Sequence, residues 1–387
     1  MENGPSMNLK TSLRTLSLAL LLAAPALASA LSLADGALFI GGYGSWSYQI
    51  TNGDRFLLGD SDGDWDTADF DLAMIAKPAD QLRINALLHF KGEASEMEWG
   101  FVDYTFSDAL HVRAGKVKAP IGNYQEIAEV GTIRPFQDLA TAVYGPAGIG
   151  ATAYQGLGFT GAFQLPSEFS LEYDLWGGAV FIDAYEPFDA FNGEVTYPIT
   201  GGAPFVPGVE ELRVENIVGA RLSLVTPWAW TFRLSGYGGS ATLDSEGDDS
   251  VTLGSGGASA WYRGEKLWVS IEGFYSAKGD LEKTTAAYVE AAWHFTPEIQ
   301  AAAKFEYART DVKDLEKAAD RLEKHDELSL GLNYWFTPSF VVRASADYVY
   351  GSRFIESEDW EGFDFTTKPP LPDEDVVRFV LGTQFSF

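Results

Sequence analysis

The chain has 387 residues, no Cys and a formal net charge of −28, with 55 acidic against 27 basic residues. That balance excludes nucleic acid as a partner, because phosphate contacts need clustered Lys and Arg. The absence of Cys is compatible with an oxidising envelope compartment.

The N-terminus reads Met7-Asn8-Leu9-Lys10-Thr11-Ser12-Leu13-Arg14, then an apolar run from Leu16 to Leu27, then Ala28-Ser29-Ala30. A basic start, a short apolar core and a small-x-small cleavage site make a secretory signal peptide over residues 1–30, with Met7 as an alternative start. The apolar run is too short for a membrane helix, and no later stretch reaches the roughly 20 apolar residues such a helix needs. The mature chain, residues 31–387, loses Glu2, Lys10 and Arg14 with the leader and is slightly more acidic still.

From there to the end, short segments alternate apolar with polar or small residues. Clear cases are Leu82-x-Ile84-x-Ala86-x-Leu88-x-Phe90, Phe169-x-Leu171-x-Tyr173-x-Leu175 and Trp230-x-Phe232-x-Leu234. Later ones are Leu267-x-Val269-x-Ile271, Ile299-x-Ala301-x-Ala303-x-Phe305-x-Tyr307, Leu328-x-Leu330-x-Leu332-x-Tyr334-x-Phe336 and Phe340-x-Val342-x-Ala344-x-Ala346-x-Tyr348. A period of two is a strand with one apolar and one polar face. The connections alternate as well. Tight Pro-, Ser- and Asp-bearing turns fall at 77–80, 107–109, 166–168, 226–228, 264–266, 296–298 and 337–339. Long, mostly acidic connections fall at 51–66, 118–154, 182–216, 242–250, 310–325 and 352–375, with shorter members near 91–96 and 278–283. The rhythm predicts about sixteen antiparallel strands. An exported membrane protein without membrane helices must close its sheet, since lipid cannot satisfy an open edge. The 26 Phe, 17 Tyr and 11 Trp beside 40 Gly suit such an all-β transmembrane barrel with aromatic girdles.

The chain ends Val377-Arg378-Phe379-Val380-Leu381-Gly382-Thr383-Gln384-Phe385-Ser386-Phe387. This alternating strand with its terminal Phe resembles the last strand of bacterial outer-membrane barrels. The resemblance implies that Phe387 is read by the barrel-assembly machinery and that lipid and lipopolysaccharide surround the mature chain. Arg113-Ala114-Gly115-Lys116-Val117-Lys118-Ala119-Pro120-Ile121-Gly122 resembles the R-x-G-K-x-K-x-P-x-G segment of Gram-negative porins, notably the phosphate-selective porin O/P-like group. Thr132-Ile133-Arg134-Pro135-Phe136 is similar to porin loop sequence. The resemblance implies a loop after the fifth strand that folds inward and narrows a water-filled passage, a homotrimer, and a passive channel for small hydrophilic solutes without cofactor or catalysis.

Polar parity places Arg83, Arg113, Arg221, Arg233, Lys304, Arg343 and Arg378 on the lumen wall, with Asp103, Glu172, Asp174, Glu272, Glu290, Glu306 and Asp347. A cation on the lipid face would cost about 2–4 kcal/mol at mid-depth. The resemblance puts Arg113, Lys116 and Lys118 on a basic wall and Glu126, Glu129, Arg134 and Asp138 on the inward loop. Opposed charges across a gap would focus a transverse field. Lys116 shares the parity of lipid-facing Val112 and Ala114, so a bulge at Gly115 is needed to turn it inward. Phosphate selectivity sits poorly with the acidic balance, including Glu356, Glu358, Asp359 and Glu361 in the last loop, which favours cations at the mouth.

Asp60, Asp62, Asp64 and Asp66 form a weak Ca²⁺ candidate, lacking the Gly and distal Glu of an EF-hand loop. Leu315 to Lys324 has helical charge spacing on an outer loop. Enzyme signatures are weak: His89, His111, His294 and His325 lie on separate segments, and no G-x-S-x-G or H-E-x-x-H occurs. His111 and His294 share lumen parity and are the residues on which a barrel hydrolase would depend. The other rival is a non-conducting barrel whose outer loops are adhesive or structural.

Overall fold

A computed structural model describes residues 31–33, 36–65, 68–92, 94–145, 151–183, 211–242, 250–279, 282–312, 323–357 and 371–387. The expected leader at residues 1–30, Asp66, most of the 315–324 segment, and Glu358, Asp359 and Glu361 lie outside the described residues.

Sixteen long strands cross the barrel: β1 Leu38–Thr51, β2 Asp69–Ala79, β3 Leu82–Lys91, β4 Ala94–Ser107, β5 Leu110–Lys118, β6 Ala153–Gln164, β7 Ser170–Asp183 and β8 Glu211–Val225. Then follow β9 Trp230–Thr242, β10 Ser250–Arg263, β11 Leu267–Lys278, β12 Glu282–His294, β13 Ile299–Val312, β14 Lys324–Thr337, β15 Phe340–Tyr350 and β16 Asp375–Ser386. Each pairs antiparallel with the next, and β16 returns to β1 from Tyr43↔Ser386 to Thr51↔Arg378. The sheet is therefore a closed transmembrane barrel, the form that leaves lipid no unpaired edge. Short turns end the hairpins at one rim and the long loops stand at the other, the arrangement of a bacterial outer-membrane barrel.

The two faces follow the alternation. On β14, Leu328, Leu330, Leu332 and Tyr334 are 46–59% exposed, whereas Glu327, Ser329 and Asn333 are at most 1% exposed. The exposed apolar side chains are the lipid face. Aromatic rings gather near the short turns, with Phe106, Trp228, Phe295 and Phe336 among the most exposed. They mark the interface between hydrocarbon and headgroups.

The seam between β1 and β16 is fastened at both ends. At the short-turn rim, Phe387 and Gly42 exchange backbone hydrogen bonds of 3.0 and 2.9 Å. The Phe387 ring stacks on Phe70 with centroids 5.6 Å apart. A Cβ on Gly42 would press into that ring at 2.6 Å, so the seat requires glycine. At the loop rim, Arg55–Phe56 pairs with Ile355–Glu356, and the Asp373 amide donates to Asp54 at 2.6 Å. The first and last outer loops thus form a clasp across the seam.

Leu330 lies near mid-depth on the lipid face. Leu330→Arg is expected to lower the unfolding free energy by about 2–4 kcal/mol in lipid vesicles. Ser329→Ala, on the opposite face, is expected to change it by about 1 kcal/mol or less. Urea titrations followed by Trp fluorescence check both values. Equal effects would contradict the assignment of faces.

Candidate functional site

The site is the barrel interior, and the segment after β5 dominates it. Pro120 offers no amide to a ladder, and Gly122 takes φ +63°, a left-handed value that favours glycine. A Cβ there would meet Glu272 Oε2 at 2.5 Å and the Tyr144 hydroxyl at 2.6 Å. The chain consequently turns inward. It runs through 3₁₀ turns at Gln125–Ile127 and Gly131–Ile133 and a single helical turn, α1, at Thr141–Tyr144. Ile121, Tyr124, Phe136, Ala142 and Val143 are all at most 4% exposed. The expected inward loop is present, and it is packed rather than draped.

Polar wall residues hold the loop backbone. The Asn123 amide donates to Glu272 Oε2 at 2.9 Å, and the Asn123 side chain donates to Ser270 Oγ at 2.9 Å. The Tyr124 hydroxyl donates to Glu290 at 2.8 Å. The Tyr144 and Tyr288 hydroxyls both donate to Glu272 Oε1. Burial pushes the Tyr144 hydroxyl well above its usual range, so it remains a neutral donor. The Ala142 amide donates to Glu306 at 2.8 Å, and the Asn333 amide group donates to Pro135 O at 2.8 Å. Each such bond contributes about 0.5–1.5 kcal/mol, more where a carboxylate accepts.

The charged candidates meet directly. Glu126 bridges Arg221 at 2.5 Å and Arg113 at 3.7 Å, while Asp174 and Asp103 hold the same two guanidiniums at 2.8 and 3.3 Å. Lys118 sits between Glu98 and Glu129, the latter at 2.6 Å. Asp138 meets Arg378 at 3.0 Å, and Arg378 also holds Asp347 at 2.8 Å. Arg233 donates to Asn123 Oδ1 at 2.5 Å. Arg343 donates to the carbonyls of Gly131, at 3.0 Å, and Arg134. Arg134 donates to Ala128 O at 2.8 Å, and burial lowers its pKa below the ordinary value. The expected transverse arrangement is thus replaced at these residues by contact pairs. The loop approaches the wall so closely that a gap between opposite charges would leave both desolvated and unpaired.

Two candidates stand apart. Gly115 has φ +135°, yet the ladder runs unbroken through Phe101↔Gly115 and Gly100↔Lys116. The expected bulge is absent there, and Lys116 keeps its outward parity, donating to Met97 O at 3.0 Å. Arg83 lines a cleft on the short-turn side of the loop with Asp103, Asp108, His111 and Glu172. In the first outer loop, Asp64 meets Arg55 at 3.6 Å, and Asp64–Trp65 pairs with Tyr48–Gln49.

The loop's helical turns contact β11–β13, β16 and β1, and β2 and β3 carry further polar groups. Asp69, Asp71 and His89 form a polar ladder there, with His89 3.3 and 2.9 Å from the two carboxylates and 22% exposed. His111 Nδ1 lies 3.0 Å from Thr105 Oγ1 and 3.4 Å from Asp103. His294 Nε2 lies 2.8 Å from Gln300 Nε2. It lines an aromatic vestibule of about 460 Å³ with Arg263, Trp268 and Trp335 at the short-turn rim. The anchors Asn123, Tyr124 and Tyr144 carry no distinguishing signal in the sequence. Lumen parity on β11 and β12 pointed to their partners Glu272 and Glu290.

No family model and no curated protein sequence matches the chain. Solved structures do. The outer membrane channel DcaP of Acinetobacter baumannii superposes with a TM-score of 0.58 at 9% identity, over 92% of this chain and 99% of that one. OmpT, an outer membrane protein of Vibrio cholerae, gives 0.54 at 11%, over 92% and 99%. The anion-selective porin from Comamonas acidovorans gives 0.55 at 13%, over 90% and 99%. The chain has the general porin fold, and the likeness does not single out the phosphate-selective group.

Glu126→Gln removes the carboxylate shared by Arg113 and Arg221. It is expected to lower the unfolding free energy by about 2 kcal/mol and to open the loop to trypsin at Lys118 and Arg134. Unfolding titrations in detergent and timed proteolysis check this. An unchanged midpoint with unchanged trypsin resistance would show that the loop is held without Glu126.

Proposed function

We propose that the protein is a passive diffusion channel of the bacterial outer membrane for small hydrophilic solutes, with a preference for cations. The observation that carries this reading is the engagement of the lumenal cations. Arg113, Lys118, Arg221 and Arg378 are each held by at least two carboxylates. Arg233 and Arg343 donate to the loop. No free basic ladder is therefore offered to phosphate along these strands. In this reading the solute route runs past Asp69 and His89 on β2 and β3 and into the Arg83 cleft. Its acidic lining and mouth concentrate cations and disfavour anions at low ionic strength.

The remaining assignments belong to the same reading. Residues 1–30 serve as the export leader, and Phe387 presents the terminal strand to the assembly machinery. The protein works as a homotrimer surrounded by lipid and lipopolysaccharide; one neighbouring structure, OmpT of Vibrio cholerae, is described in a trimer form. The channel needs no cofactor and performs no catalysis. Membership of the phosphate-selective group is the less favoured variant, because its basic path is occupied by ion pairs. The depth of loop packing favours a second reading, a barrel closed by its loop whose outer loops do the work.

Planar-bilayer recordings under a KCl gradient separate these readings. Stepwise ohmic conductance with a cation-selective reversal potential is expected. Selectivity is expected to weaken as salt rises from 0.1 to 1 M, because the Debye length falls from about 10 to 3 Å. Anion selectivity blocked by phosphate would instead support the phosphate-type reading. A folded barrel that passes no current would overturn the channel.

A further inference from the structure

On the lumen side of β13 and β14, Glu306, His325 and Glu327 lie together, the first two 0% and the third 1% exposed. Their ligating atoms all fall within 4.8 Å of one another, and among the described residues no other such group of three was found. The carboxylates are divided in their use. Lys304 meets Glu306 Oε1 and lies 3.3 Å from Glu327 Oε1. The two Oε2 atoms face His325 Nε2 at 3.8 and 3.6 Å. Those separations exceed hydrogen-bond length.

His325 is the independent pointer to a ligand. Neither ring nitrogen has a hydrogen-bond partner, and Glu327 Oε2 has none either. The Nε2 edge of the ring faces one oxygen of each carboxylate. Three ligand atoms converge on one point, and two carboxylates share a single ammonium. A cation at that point supplies what the group lacks.

We propose that Glu306, His325 and Glu327 form a structural site for a first-row divalent metal ion, with Zn²⁺ as the best fit. One imidazole and two carboxylates are ordinary zinc ligands at about 2.0–2.2 Å. At those lengths the observed N···O separations correspond to angles of roughly 120–135°, wider than tetrahedral, so a fourth ligand would come from solvent and the carboxylates would close slightly on the ion. Ca²⁺ would need six to eight oxygens, which the site does not offer. The position gives the ion a purpose. Glu306 Oε2 holds the Ala142 amide of the inward loop at 2.8 Å. Phe56 and Phe354 from the outer-loop clasp pack on the His325 ring at 5.9 and 4.9 Å. The ion would tie the inward loop, the wall and the clasp at one point. This inference rests on the barrel and not on the channel reading.

The test uses the full mature chain, refolded with a chelator and dialysed free of it. Zn²⁺ is titrated in excess Ca²⁺, which occupies the weak acidic sites of the outer loops. One equivalent of tightly bound Zn²⁺ per chain is expected by metal analysis. Co²⁺ in its place is expected to give the visible absorption of a low-coordinate N/O site. His325→Gln and Glu327→Gln are each expected to weaken Zn²⁺ binding by about a hundredfold or more, with folding checked by heat-modifiable gel mobility. Wild-type protein that binds no equivalent, or a folded variant that binds Zn²⁺ as the wild type does, would overturn the site. The wild-type result decides the matter even if a variant fails to fold.

Discussion

Lipid offers no hydrogen-bond partner to a backbone amide, so the ladder between β1 and β16 is the contact on which the rest depends. It runs from Tyr43↔Ser386 to Thr51↔Arg378. Without it, two strand edges would face hydrocarbon. With it, alternate side chains of every strand are directed to a common interior, and acidic and basic groups become tenable at membrane depth. The interior is then too polar to stay stable unless each group finds a partner or water.

The inward loop answers part of that requirement. It carries Glu126, Glu129 and Asp138 to guanidinium and ammonium groups on the wall and sets backbone amides against Glu272 and Glu306. Electrostatics and packing here are one arrangement. The same pairs that hold the loop engage the wall cations, and in the proposed channel they remove them from contact with a passing solute. In the proposed channel, selectivity would depend on which groups the loop leaves uncovered, His89 and Asp69 among them.

Much of this was legible in the sequence. The hairpin rhythm, the sixteen strands and the turns follow from a period of two and from Pro, Gly and Ser placement, both local properties, whereas the inward loop was implied only by the resemblance to porins. Lumen parity identified Arg221, Arg233, Arg343 and Arg378 as interior residues, and the structure places all four there. What parity could not supply was partnership. Glu126 lies far in sequence from Arg221, and Tyr124 from Glu290, so their meeting depends on how far the loop reaches across the barrel. Gly115 misled for a related reason. A glycine at φ +135° can carry a bulge, but here the approach of Gly100 O leaves no room for a Cβ while the ladder continues unbroken. His325 was legible only as one of four scattered histidines. Its meaning appears once β13 and β14 place it between two glutamates.

The clasp between the first and last outer loops bears on how the barrel comes to exist. Neighbouring hairpins form from local contacts, whereas β1 and β16 are separated by almost the whole chain. Joining them incurs the largest loop-closure entropy of any pairing in the molecule. Arg55–Phe56 with Ile355–Glu356, and Asp54 with Asp373, lie beside the seam at the outer rim. Phe387 on Gly42 lies at the other. Once either end is joined, the remaining β1–β16 pairs zip across a short span. Whichever fastening forms first carries the chain-length search, and the rest of the seam then closes locally, which makes the seam the natural last event of assembly.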